Sequence, residues 1–245
     1  MGFWSGVCSF ASSVVSGVTE VGKAVVSAVS TAVKTVTKLG TAVLAVAKPL
    51  VAVLSVVAPH IGKPLEGAIA IAEKIIKVAA TIAGLISEDD DVEDIGERAL
   101  EAAEQNILLE DYDNPKDYFD RIKQLELDPQ SAKYTPEQKQ IAGMSVLNAA
   151  LKLELNITPE LVGLFVLYNG FFTEERVAAY IEYAKQHHKD LNKIQNCFLS
   201  NVTAADKQEG EDIFFGAEQA YDQHFDQDAF EDKLYELNFG AVSGS

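Results

Sequence analysis

At 245 residues, with a net charge of −17 and 48% hydrophobic content, the chain is long enough to bury a core in one or two domains. Its acidity argues against nucleic acid as a partner, because like charge repels a phosphate backbone. Its two cysteines, Cys8 and Cys197, have no metal-ligand spacing and no disulfide framework, which fits synthesis in a reducing compartment.

The charge is unevenly spread. Up to Ser87 there are seven lysines against three glutamates, whereas the rest holds 13 basic and 34 acidic residues. This asymmetry divides the chain into an amphipathic, apolar helical and membrane-active region at 1–87 and an acidic all-helical domain at 88–245. Neither a basic n-region nor a signal-peptide cleavage site opens the sequence. The expectation is soluble synthesis in the cytoplasm, followed by action at a membrane reached by non-classical secretion.

Residues 1–11 (MGFWSGVCSFA) carry Phe3, Trp4 and Phe10. They suit either a strap packed on a helix or an anchor at a lipid headgroup region. The run Ser12 to Lys48 then has a helical period: Ser, Thr, Glu and Lys fall on one stripe and Val and Ala on the rest. Within that stripe Lys23, Ser27, Ser30, Lys34, Lys38, Thr41 and Lys48 are the candidate pore-lining residues. At roughly 55 Å as one helix, the run should break near Gly17, Gly22 or Gly40.

Leu39 to Pro59 contains Lys48 as its only charge and has about the length a hydrocarbon core requires. Pro49 should kink that helix or start a new one. His60, Gly62 and Pro64 mark a hairpin turn. A second helix follows to about Ile86, with Glu66, Glu73, Lys74, Lys77 and Thr81 on one side and Ile71, Ile75, Val78, Ile82 and Leu85 on the other.

The acidic remainder reads as helices throughout. Glu88 to Asp94 is a boundary that lends negative charge to a helix N-terminus; neither it nor Asp111–Pro115 has the EF-hand pattern. Helices are expected over Asp91–Leu109 and from Pro115 to Leu125. Thr135-Pro136-Glu137-Gln138 is a capping box, Thr158-Pro159-Glu160 starts a short apolar helix, and Thr173-Glu174-Glu175 starts one reaching Leu199. The aromatic tail from Ala204 to Phe239 should cover a core or, as the second choice, present a partner-binding face. His187, His188, His224 and Cys197 form no recognisable catalytic or metal motif. No phosphate loop or nucleophile elbow occurs either. The reading is therefore of a non-enzyme without cofactor or metal, all-α in class, with long amphipathic N-terminal helices or a helical hairpin plus an acidic bundle.

The N-terminal pattern resembles the small bacterial pore-forming effector toxins delivered by type VI-like, contact-dependent secretion, and also colicin-type hairpins. The resemblance covers residues 1–90 and rests on composition and periodicity. It implies a lipid bilayer as target, a chaperone, delivery or immunity protein as partner, and a homo-oligomer when active. The competing reading is a structural or scaffold protein of a virion or injection machine, its N-terminal helix packed in an oligomeric bundle. A helix lying flat on lipid is the third, and the sparse lysines of the stripe disfavour it. Ala32→Asp places a charge at the centre of the apolar arc. It should abolish dye leakage from liposomes while leaving the 88–245 portion folded; unchanged leakage would mean that the arc does not meet lipid.

Overall fold

A computed structural model of the chain describes residues 34–127 and 133–239. The described residues are all-helical, without a strand. In chain order the α-helices are α1 (Thr41–His60), α2 (Leu65–Ala83), α3 (Val92–Glu104), α4 (Pro115–Lys123), α5 (Pro136–Leu155), α6 (Pro159–Leu167), α7 (Glu174–His187), α8 (Ala204–Tyr221) and α9 (Gln227–Phe239). Short 3-10 segments occupy Thr37–Leu39, Leu109–Asp111 and Leu191–Phe198.

The helix starts follow local chemistry. Asp91 accepts from the backbone N–H groups of Glu93 and Asp94 at the head of α3, so the acidic boundary does supply a helix N-terminus. Asn114 does the same for α4, with Pro115 at the first helical position. Thr135 and Gln138 make the reciprocal capping box of α5, while Thr158, Thr173 and Thr203 cap α6, α7 and α8. Each such cap is worth about 1 kcal/mol, since it satisfies a backbone donor that the helix cannot.

Three features depart from the sequence reading. The long N-terminal run does break at Gly40, whose φ of +97° separates Thr37–Leu39 from α1. Of the two effects expected of Pro49, the start of a new helix is not found: the residue lies inside α1. The carbonyl that it deprives of a partner belongs to Ala45, an exposed residue, where water can satisfy it. On α2 the buried stripe is Ala68, Ala72, Ile75, Ile76, Ala79 and Ala80. Ile71, Val78 and Ile82 are only half-buried. The expected isoleucine face is rotated toward the alanines, because small side chains let neighbouring helices come close. The helix from Thr173 stops at His187: His188 turns left-handed at φ +53°, and Asp190 restarts the chain as a 3-10 segment.

A contiguous core joins the two charge regions. It runs from Val36 through α1 and α2 to Phe214, Phe230 and Leu237. α1 packs on α6, α5 and α2, and α2 packs in turn on α5, α7 and α6. Aliphatic residues fill the α1 side. Phe165, Phe172, Tyr180 and Phe214 fill the far side, with Phe172 and Phe214 edge-on to Tyr180 at 5.5 and 5.9 Å.

The most extensive helix contact is α3 on α5, and it depends on two glycines. A Cβ at Gly96 would sit 1.8 Å from the Lys139 carbonyl oxygen, and one at Gly143 would sit 2.0 Å from that of Val92. Both obstacles are backbone, which cannot swing aside. Gly96→Ala should therefore cost about 3 kcal/mol in urea unfolding. Gly170→Ala, where the new methyl meets nothing within 4 Å, should stay within about 0.5 kcal/mol of the parent.

Candidate functional site: a buried apolar hairpin and its polar attachments

Among the described residues α1 is the helix long and apolar enough to cross a membrane. Its first two turns still show the striped pattern: Thr41 and Ala45 are exposed and Lys48 is half-buried. From Pro49 to Ser55 every residue is buried, with Ala52, Val53 and Leu54 at 0% exposure. A helix apolar on all sides must be covered on all sides, and here the rest of the chain does it. The single buried hydroxyl in this stretch, Ser55, donates to the Val51 carbonyl at 2.7 Å and so needs no outside partner.

Of the candidate pore-lining residues, Lys23, Ser27 and Ser30 lie outside the described residues. Lys34, Lys38 and Thr41 face solvent at the open end of the hairpin, and Lys48 follows on the same side of α1. At the opposite end His60 closes α1, Gly62 turns at φ +64°, and Pro64 leads into α2.

The open end is where the acidic region takes hold. α1 begins at Gly40 with no side-chain cap of its own and no acidic residue in its first turn. Glu110, far along the sequence, supplies what is missing. Its Oε2 accepts from the Ala42 N–H at 2.9 Å and from the Thr41 hydroxyl at 2.7 Å. Those bonds, the backbone one foremost, hold the Glu110 carboxyl below the usual range. Any side chain at Gly40 would crowd that carboxylate, since a Cβ there comes within 3.1 Å of it.

Glu104 stands beside it. It receives Lys133, Tyr134 at 2.8 Å and Lys38 at 3.4 Å, and these partners, Lys133 first, pull its carboxyl down to about 2. At the far terminus of α2 the charges are reversed. Lys185 donates to the Ile82 carbonyl at 2.6 Å and Lys116 to the Gly84 carbonyl at 3.4 Å. An anion thus meets the N-terminus of the hairpin and cations meet its C-terminus, the arrangement that helix dipoles favour.

A second polar cluster is buried between α7 and α8. Glu218 is 1% exposed; it accepts from the Tyr180 hydroxyl at 2.6 Å and faces the Arg176 Nε at 3.0 Å. Arg176 also donates to the Phe171 carbonyl at 2.9 Å, and its guanidinium lies over the Phe171 and Tyr221 rings. Burial pushes the Glu218 carboxyl up despite these partners. The cluster ties α8 to α7 across aromatic packing, and an arginine fixed on two rings and a backbone carbonyl suits anchoring better than proton transfer.

The concave surfaces are open grooves. One, about 620 Å³ between α2 and α7, is walled by Val78, Ile82 and Ala178 among mixed charges. No group of three or more His, Cys, Asp or Glu among the described residues could hold a metal ion. Cys197 is buried, and its thiol is pushed up to about 12, far from a reactive thiolate. Compared with known protein families, curated proteins and solved structures, the chain matches none.

Sequence patterning located the apolar hairpin but not its attachments. Glu104, Glu110, Lys116 and Lys185 lie on segments without a distinguishing motif. One signal was available: a long apolar helix starting at Gly-Thr with no cap must find its donors a partner elsewhere.

Because Glu218 binds its proton more tightly folded than unfolded, its contribution to stability is fully present below about pH 4.3, the ordinary glutamate value. It is lost as the pH rises through the folded value. Urea midpoints of the parent and Glu218→Gln should therefore diverge over that window, the parent losing ground as pH rises. Arg176→Ala should cost about 3 kcal/mol at pH 7 by stranding the carboxylate.

Proposed function

We propose that the chain is a membrane-inserting, pore-forming protein whose α1–α2 hairpin is stored inside its own acidic helices. The observation that carries this reading is the all-round burial of Pro49–Ser55 in a helix of 20 residues. At 1.5 Å per residue α1 is about 30 Å long, matching a hydrocarbon core. Such a helix is satisfied equally by a protein core and by lipid, so moving it between them changes its hydrophobic free energy little. What holds it in the soluble form is packing and the polar attachments at its open end.

α2 complements it. Its alanine stripe allows close helix–helix approach, and Glu66, Glu73, Lys74 and Lys77 would turn toward water or neighbouring copies in an oligomer. Lys48, beside Pro49, and the lysines upstream at 23, 34 and 38 would then border the aqueous path and bias it against cations. This supports a toxin or effector kept soluble until it meets a bilayer, held by a chaperone, delivery or immunity protein beforehand.

Vesicles loaded with a self-quenching dye test the reading. Micromolar protein should release the dye, either directly or on warming below its unfolding midpoint. The chain's one tryptophan, Trp4, should be quenched by brominated lipid as release proceeds. Intact vesicles under both conditions would sink the proposal.

A further inference from the structure

One stretch of chain reaches both ends of the hairpin, and Lys185 of α7 joins it at the α2 end. Glu110 caps α1, and Lys116, six residues on, reaches the carbonyl of Gly84, the residue that caps the α2 C-terminus. The stretch is firmly rooted in the acidic region: Leu109, Tyr118, Phe119 and Ile122 are at most 2% exposed. At its end Lys123 pairs with Asp90 at 2.6 Å, and Asp90 accepts from the Ser87 N–H at 2.7 Å. The chain leaving α2 is thereby tied to the same segment.

We propose that Leu109–Lys123 is a clasp that closes the open end of the hairpin, and that its opening is the step that frees α1 and α2 together. This rests on the function proposed above and names its internal restraint. The contrast between the two ends of the hairpin supports it. The turn at Ile61–Pro64 is closed by its own backbone bonds, from Ile61, Gly62 and Lys63 back to Val57, Ala58 and Pro59. The open end depends on side chains from the body. A unit whose turn is self-sufficient and whose termini are held from outside can leave as a unit once the outside groups let go. Glu110 and Lys116 hold through hydrogen bonds at exposed positions, so water can replace them with little penalty. They are therefore the restraints that yield first.

The test compares Glu110→Ala, Lys116→Ala and the double variant with Thr173→Ala. Thr173→Ala removes a cap of similar worth from α7 and touches neither end of the hairpin. Amide hydrogen exchange without vesicles should show the first two turns of α1 and the last turn of α2 opening about fivefold faster in Glu110→Ala, and faster still in the double variant. The Thr173→Ala protein should leave both segments within about twofold of the parent. Dye release should quicken in the same order. Uniform acceleration across the chain, or equal acceleration in Thr173→Ala, overturns the clasp. Because exchange is read without lipid, selective opening with no dye release from any variant would overturn the pore reading and leave the clasp standing.

Discussion

A helix that is apolar around its whole circumference cannot be solvated by water, and α1 is such a helix from Pro49 to Ser55. The arrangement of the other helices follows from that requirement. α2 covers one side with alanines and α5 and α6 cover others. α3 grips α5 through the Gly96 and Gly143 contacts, which fixes the wall that α1 leans on. The aromatic cluster of α6–α9 then closes the far side. Apart from the buried Glu218, the described acidic residues lie at exposed or half-buried positions, where their mutual repulsion is screened. Within the described residues, helices of the acidic region cover α1, and α5 and α6 share its core.

Much of this was legible because it is local. Thr135, Thr158, Thr173, Asp91 and Asn114 mark helix starts through bonds to residues two or three positions away, and such bonds leave a sequence signature. The α2 face was misjudged because hydrophobicity ranks isoleucine above alanine, while close packing selects for size. The stop at His188 was missed since a non-glycine left-handed residue carries no distinctive spelling. Glu110 on α1, and Arg176 with Glu218, join residues tens of positions apart. No periodicity encodes them.

The two polar clusters divide the work. Tyr180 and Glu218 are buried and the half-buried Arg176 lies over two rings, so they stiffen the α7–α8 body. Glu104, Glu110, Lys116 and Lys185 sit at exposed positions against the hairpin's ends, where solvent competes with every bond. One set is costly to break and the other cheap. The proposed release of the hairpin from a body that stays folded would require that difference.

This difference also explains why the attachment is polar at all. The open end already buries Val36, Leu39, Leu85 and Ile86, and a larger apolar seal there would expose still more hydrophobic surface to water on release, at about 25 cal/mol for each Å². A carboxylate on a helix N-terminus and lysines on a helix C-terminus exchange their partners for water with a net change nearer 1 kcal/mol per bond. Under the proposed pore-forming function, the apolar transfer would be deferred until lipid is present to receive it. Polar groups would then govern when the hairpin opens, and the apolar length of α1 would govern where it can go.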